Sequence, residues 1–489
     1  MSAAQLILGN QLFYPLTHLN KQIPVVMIEH NDLCKDRRHH KIKVAFFFSA
    51  MRHYAEDLIK NGFNVIYETY NPNEELSFIS VLLRLIPSLD TIHLTEIVDV
   101  SVRETFEDEL TNKGIAITFN KTPMFLNSVD HFTNYLSTIK KPFMKTYYER
   151  IRKESGILMT AGKPQGGAFS FDEMNRKKCP KGLRIPPREF PAHSSTTTAV
   201  IELVNTHFKD HVGDASDLWL PVTRSDALNW WQAFLVNHFN LFGDYEDAIE
   251  PSNDFLFHSA ISPLLNIGLL TPQQVINDVL SLSDQIPLNS LEGFIRQVIG
   301  WREFIRGIYE HYNDDQQATN FFNHTGKLTQ HWWDGTTGHL PLDDAIKTTV
   351  KRGYAHHINR LMVIGATMLT TEVAPQEVYN WFMVMYADSS DWVMGPNVFG
   401  MSQFSDGGIF ATKPYICGSN YIRKMSHYGT GDWCDIADGL YWRFIHKHSD
   451  FFTKNARMGL AVKSLDKMAA DKKTRLFKAA NAFIERVTH

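Results

Sequence analysis

The sequence predicts an α/β unit followed by an all-α one: a doubly wound parallel sheet, a long linker, and a helical body. Three observations predict it. Over residues 1–125, short apolar runs alternate with helix-like stretches, the pattern of a parallel sheet covered on both faces. Over 126–198 the pattern loosens and prolines gather at 164, 180, 186, 187 and 191, which reads as a linker with one or two helices. Over 199–489 apolar and aromatic residues recur at helical spacing and strand signals are few.

Residues 4–8 and 25–29 read as buried strands, and 64–68, 91–94 and 115–119 continue the series. Residues 43–48 fit either the next strand or the opening of a helix continuing through 51–60. Such sheets bind ligands at the carboxyl ends of their strands. Gly9-Asn10-Gln11 therefore marks either a pocket edge or a plain strand-to-helix turn. In the carboxyl part the helical spacing runs through 230–241, 272–282, 290–312, 342–370 and 375–386.

Composition narrows the function classes. The 489 residues are 44% apolar and 21% charged, ordinary for a globular protein with sizeable cores. The 12% aromatics serve either those cores or stacking surfaces for a flat ligand. A net charge of −4 excludes a broadly basic nucleic-acid binder, so any such contact rests on a local patch. Cys34, Cys179, Cys417 and Cys434 form no CxxC pair, which argues against a disulfide framework or a four-thiolate metal site and suits a reducing, cytoplasmic setting. The first residues lack a basic n-region, and no apolar run approaches the ~18 residues of a membrane span. The linker carries Lys140, Lys141, Lys145, Arg150, Arg152 and Lys153, then Arg176, Lys177, Lys178 and Lys181. That is either a solvated connector or a phosphate-contacting loop.

Four blocks carry the chemistry. In HSAISPLLN (258–266) two hydroxyls enter a helix start, which is either a simple cap or an anion cradle built from Ser259, Ser262 and free N–H groups. In EGFIRQVIGWREF (292–304) Arg296, Gln297, Arg302 and Glu303 stand among large apolar residues; buried charges need partners, from each other or from an anionic ligand. In YAHHINRLM (354–362) His356 and His357 are adjacent and cannot share a helix face; without a third ligand they suit proton donation better than metal. The polar stretch 386–397, continuing as VFGMSQFSDGG, offers Asp388 as a partner for Arg360.

Together these strings resemble the cryptochrome/photolyase superfamily, most closely its iron–sulfur bacterial cryptochrome and photolyase branch. GNQL near the start and FFFSAMRHYAEDL at 46–58 are similar to that branch's amino-terminal domain. The resemblance implies an α/β antenna domain over 1–125, a linker over 126–198 and a helical FAD domain over 199–489. It implies light-driven repair of UV-damaged DNA, most of all (6-4) photoproducts, by a monomer that needs no membrane and associates with the nucleoid when bound. The alternative it leaves is a blue-light photoreceptor with FAD and no repair.

Carried over by position, the resemblance gives His258, Ser259, Ile261 and Ser262 to the FAD phosphates. Gln297, Arg302 and Asn397 line the cofactor, and Arg360 and Asp388 pair beside its ring. His357 faces the lesion as proton donor with His356 adjacent, and Met401 and Tyr415 border it. Trp381 and Trp333 are electron relays; Phe382 stands where a relay Tyr is usual and cannot lose a phenolic proton. Lys177, Lys178 and Lys181 contact DNA. The branch's four cluster cysteines correspond to Pro341, Gly429 and Asp432, with Cys434 near the last, so no iron–sulfur cluster or other metal is expected. Its ribityl-lumazine antenna leans on an acidic residue and a Tyr where this chain has Leu33 and Asp36. This weakens the expectation of that antenna and leaves Asn10, Gln11 and Glu29 as its pocket residues.

Overall fold

A computed structural model describes residues 2–33, 37–454 and 458–489. One parallel sheet contains β1 (Ser2–Leu6), β2 (Val25–Ile28), β3 (Val65–Glu68), β4 (Leu89–Thr95) and β5 (Ala116–Asn120), in the order β3-β2-β1-β4-β5. β1 pairs with both β2 and β4, in registers such as Gln5 with Val25 and Ala4 with Ile92. The strand order reverses there, so the crevice beyond the end of β1 is a switch point. Side chains follow the strand period of two. Ala4, Leu6, Val26 and Ile28 join Phe78, Leu82, Phe106 and Leu110 on one face, while Val25 and Met27 join Phe46, Ala50 and Leu58 on the other.

Residues 43–48 are helical. They open the helix Lys41–Lys60, whose first turn is capped by the His40 ring accepting from the Ile42 N–H at 3.1 Å. The helix lies between the sheet and the helical body, so its apolar residues run almost all round it, and that hides the helical period. Gly9 makes this packing possible, since a Cβ there would sit 2.9 Å from Met51 Sδ.

Between 126 and 198 lie the helices Val129–Leu136 and Met144–Ser155, a two-residue antiparallel pair, and an irregular run from 176 to 194. Helices then continue to Val487. The spacing over 342–370 predicts one continuous helical run, but the helix Leu340–Arg352 stops at Gly353, which takes the left-handed conformation at φ 57°. Likewise 230–241 breaks at His238 into Arg224–Asn237 and Phe239–Phe242. Three segments wind as π-helix: Arg296–Arg302, Asn359–Gly365 and Pro396–Ser402. Each coincides with a chemical block, and such widened turns cluster at functional sites.

One apolar cluster runs from Ile7 on the sheet through Phe46 to Phe304 and Phe410, so sheet and helical body share a core. Glu303 ties the chain leaving the sheet to that body: its carboxylate accepts from the Leu126 N–H at 2.9 Å and the Asn127 N–H at 3.1 Å. Phe125 lies under the guanidinium groups of Arg302 at 5.0 Å and Arg306 at 4.3 Å.

At the carboxyl end the helices Asp432–Lys447 and Ala470–Val487 touch at Gly439, where a Cβ would fall 2.1 Å from the Leu476 carbonyl oxygen. A backbone carbonyl cannot swing aside as a side chain can. Gly439→Ala is expected to destabilise the protein by about 1–3 kcal/mol, read as a lowered melting temperature.

Candidate functional site

Asp388 is the knot of the site. Its Oδ1 accepts from Arg360 Nη1 at 2.9 Å, its Oδ2 from Ser262 Oγ at 2.6 Å, and its backbone carbonyl from Asn266 Nδ2 at 2.8 Å. Asn266 Oδ1 accepts in turn from Arg302 Nη1 at 2.6 Å. A carboxylate only 5% exposed is tolerable because a cation and a hydroxyl satisfy it. Arg360 is braced from its other sides: Nε donates to the Ala355 carbonyl at 2.6 Å, and the guanidinium lies 3.9 Å from the Tyr386 ring centroid. Burial is the largest influence and works against its charge, but Asp388 together with the Tyr386 and Tyr354 phenols more than compensates and raises its pKa above the ordinary value. Among the described residues Arg302 has no such carboxylate within ion-pair distance. It is held by Asn266 and the faces of Phe125 and Trp392, and burial pushes its pKa down to about 10.

The loop before the helix Ser262–Ile267 is held open against local preference. Ala260 sits at φ 53°, a left-handed conformation that residues with a Cβ seldom adopt. Its neighbours are pinned: the Ser259 carbonyl accepts from Trp230 Nε1 at 2.9 Å, the His258 carbonyl from Arg188 Nη2, and the Ile261 carbonyl from the Leu265 N–H at 2.9 Å.

Three histidines meet here. His258 and His356 stack nearly parallel, with centroids 4.9 Å apart at 5°, and His357 meets His258 edge-on at 5.5 Å. His258 Nε2 and His356 Nδ1 are buried and have no hydrogen-bond partner. Burial pushes His356 down to about 3, helped by the charges of His357 and Arg360, and holds His258 well below the usual imidazole range. Two neutral, buried imidazoles with free nitrogens fit a polar ligand laid against them.

His357 turns the other way, so the adjacent pair does divide between two faces. Nearly half of its side chain (47%) is solvent-accessible, and its Nε2 lies 3.2 Å from Asp247 Oδ1. Burial opposes its charge, but the Asp247 hydrogen bond and carboxylate, with Glu246 behind, more than compensate, so its pKa is raised. Asp247 also draws Arg176 Nε to 3.8 Å, and Arg176 pairs with Asp172. Tyr415 is half-buried and electrostatically coupled to Asp172 and Arg176, with burial the main cause raising its pKa. Beneath this rim, Glu246 accepts from Gln297 Nε2 at 2.7 Å and Asn175 Nδ2 at 2.5 Å, with Arg296 at 3.8 Å. Asp172, Asp247, Glu246 and Arg188 carry no motif, and only the acidic run DYED (244–247) hints at Glu246 and Asp247; Asn266 closes the HSAISPLLN block without standing out in it.

The remaining candidates fall elsewhere. Asn397 Nδ2 donates to the Val393 carbonyl at 2.7 Å, and Met401 packs half-buried on the main core. Trp381 is fully buried, and its Nε1 donates to the carbonyl of Trp332, the residue before half-buried Trp333. The Phe382 ring lies 5.5 Å from that of Trp381. Lys177 Nζ is paired with Asp244 at 2.8 Å, Lys178 Nζ reaches the Arg423 carbonyl at 3.5 Å, and Lys181 is exposed.

The switch-point crevice is a separate cavity of about 200 Å³, with Asn10, Glu29, Asp99 and Asp391 in its wall. Glu29 is already saturated: Arg52 Nε and Nη2 donate to it at 2.7 and 2.8 Å, Tyr67 OH at 2.6 Å and the Tyr70 N–H at 2.8 Å. Gln11 spans the ends of β1 and β4, donating to the Thr95 carbonyl at 3.0 Å. Burial and the nearby charge of Asp391 push Asp99 up to about 7. Cys34 and Asp36 lie outside the described residues; Leu33 ends the short turn Asn31–Leu33. Among the described residues no three His, Cys, Asp or Glu side chains gather to hold a metal, and no helix is long and apolar enough to cross a membrane.

A parallel sheet sharing its core with a large helical body is the architecture of the photolyases and cryptochromes. A bacterial class III photolyase from Agrobacterium tumefaciens superposes with a TM-score of 0.55 at 16% identity, over 99% of this chain and 98% of its own. A Synechocystis cryptochrome superposes with a TM-score of 0.57 at 14% identity, over 99% of each. The family model "Deoxyribodipyrimidine photo-lyase-related protein" matches residues 5–219. A relative from Agrobacterium fabrum named (6-4) photolyase is 34% identical over 506 residues, spanning 100% of both chains. The chain therefore belongs to the cryptochrome/photolyase superfamily, whose members generally bind FAD.

Proposed function

We propose that this chain is a light-driven DNA-repair flavoprotein that reverses (6-4) photoproducts. The observation that carries the reading is His357: a solvent-facing, Asp247-supported imidazole in contact with two buried histidines whose nitrogens await a polar ligand. Full-length identity to a protein named (6-4) photolyase supports the same reading. Resemblance to a solved cryptochrome does not separate the two activities, since fold alone does not set function.

The site suits FAD: its unpartnered buried donors and acceptors, and its cationic groups lacking carboxylates, match a polar, anionic dinucleotide. His258, Ser259, Ile261 and Ser262 hold the phosphates, Gln297, Arg302 and Asn397 line the pocket, and Arg360 with Asp388 flanks the ring. Bound in reduced form, FAD supplies a light-excited electron donor. The protein does the rest. His357, its Nε2 engaged by Asp247, keeps a ring proton for the lesion, Tyr415 and Met401 border it, and His356 holds the His258 loop in place. Trp381 and Trp333 carry electrons from the surface, while Phe382, at the relay-Tyr position, packs beside Trp381. The lesion leaves the base stack at a cost of roughly a few kcal/mol, lower than for an intact pair. Lys178 and Lys181 meet phosphates, joined by Lys177 once it exchanges Asp244 for DNA.

The donor set does not fit an iron–sulfur cluster: Pro341, Gly429 and Asp432 supply no thiolate. Packing serves instead, with Trp433 against His339 at 5.5 Å and its Nε1 donating to the Gly429 carbonyl at 3.2 Å. The protein acts as a monomer, and the switch-point cavity, with Asn10 in its wall and Glu29 and Gln11 bracing it through their internal hydrogen bonds, is the place for an antenna of the ribityl-lumazine type.

The deciding experiment illuminates flavin-reduced protein with an oligonucleotide carrying a (6-4) photoproduct. Recovery of the intact pyrimidines supports the reading, and none from fully reduced, flavin-loaded protein rejects it. Asp247 adds a pH signature. His357 acts while protonated, so repair falls as pH rises through its raised pKa. Asp247→Asn removes the supporting charge and moves that falling limb to lower pH in a rate–pH profile.

A further inference from the structure

The linker residue Arg188 stands out as a cation without a counter-ion. Its Nη2 donates to the His258 carbonyl, and its guanidinium lies over the rings of Trp230 at 5.1 Å and Phe255 at 5.3 Å. Its Nε is buried with no hydrogen-bond partner, and no carboxylate among the described residues stands within ion-pair reach of it. The nearby Asp254 is taken by Arg352 at 2.8 Å. Around it lie the Tyr354 phenol and two more nitrogens, His238 Nδ1 and His258 Nε2, that are likewise buried and unpartnered. Burial pushes the guanidinium down to about 10 and His238 down to about 4, the latter helped by the charge of Arg188.

A guanidinium removed from water without an anion is costly, and aromatic faces with one carbonyl recover only part of that cost. The group nevertheless sits against a loop whose backbone is held left-handed at Ala260, and it fastens the His258 carbonyl of that loop. Trp230 fastens the next carbonyl from the same side, at Ser259. Linker and helical body thus clamp the loop together, around a surplus of positive charge and unfilled donors.

We infer that Arg188 is a positioning residue for the cofactor, reaching from the linker to hold the His258–Ser262 loop and to supply the counter-charge for the bound dinucleotide's diphosphate. This rests on the FAD reading above. It makes cofactor retention depend on the linker, outside the helical body proper. It also gives the segment around Pro187–Phe190 a role distinct from the exposed lysines ahead of it.

The test measures FAD affinity and release by flavin fluorescence in full-length wild type, R188Q, R188K and the exposed linker control R184Q. Circular dichroism and the melting temperature of the FAD-free proteins report folding. Losing a charge-assisted contact predicts that R188Q weakens FAD binding by about 10-fold or more. R188K, which keeps the charge, recovers most of that loss, R184Q matches wild type, and the FAD-free melting temperatures stay together. The inference is overturned if R188Q retains FAD like wild type, or if R188K falls as far as R188Q, which would leave Arg188 a packing residue on Trp230 and Phe255. If R188Q does not fold, R188K decides alone: affinity near wild type supports the charge role and collapse rejects it. Wild-type protein that takes up no FAD would instead reject the function proposed above.

Discussion

His357→Ala lowers repair of a (6-4)-containing oligonucleotide by about 100-fold or more, while flavin absorption and DNA affinity stay near wild type. The size follows from removing a positioned proton donor, which in general acid catalysis contributes about 100- to 10,000-fold. The selectivity follows from the structure. His357 is 47% exposed and touches its surroundings through Asp247 and the edge of His258, so its removal leaves no buried cavity. His356 behaves differently. It is 2% exposed and stacked on His258, so His356→Ala opens a hole behind the loop and shows first as flavin loss. Single-turnover repair after one flash, run beside a flavin-release assay, separates the two. Equal flavin loss in both variants would assign His357 to packing.

The fold class was legible because short, nearly continuous apolar runs alternate with helix-length stretches, as strands buried on both faces require. Residues 25–28 are buried at every position, and the helices beyond 199 carry the longer spacing. The opening of the helix Lys41–Lys60 was ambiguous for a physical reason: a helix packed on several sides loses its polar stripe and looks like a buried strand. The three π-segments were invisible, because apolar spacing continues across a widened turn; the stop at Gly353, signalled by a Gly after Lys351-Arg352, was overridden by the apolar spacing that resumes beyond it. The site divides in the same way. His258, Arg302, Arg360 and Asp388 sit in dense polar-in-apolar blocks that announce themselves. Asp247, Asp172 and Asn175 do not, since they reach the site from separate stretches with no local pattern, and only folding sets Asp247 beside His357. Glu29 shows the converse. As a charged residue ending a buried strand it reads as a ligand contact, yet Arg52, Tyr67 and the Tyr70 N–H already fill its oxygens.

Asp388→Ala is expected to cost the helical body about 3–5 kcal/mol, because it leaves the Arg360 guanidinium buried without its anion. At the size of this 489-residue chain that corresponds to a melting temperature lower by roughly 3–5 °C. The loss spreads beyond one pair. Asp388 also holds Ser262 through Oδ2 and Asn266 through its carbonyl, and Asn266 is the acceptor for Arg302. Freeing Arg360 therefore loosens the start of the helix Ser262–Ile267 and the loop ahead of it, so flavin should be lost together with stability. Asp388→Asn distinguishes charge from hydrogen bonding. It keeps an acceptor for Arg360 Nη1 and the same backbone carbonyl for Asn266, but removes the negative charge. If charge dominates, the Asn variant melts close to the Ala variant. If the hydrogen-bond knot dominates, it lies close to wild type and keeps its flavin. An Ala variant that melts with wild type would show that Tyr386 and the Ala355 carbonyl hold Arg360 unaided, and that the pair does not anchor the site.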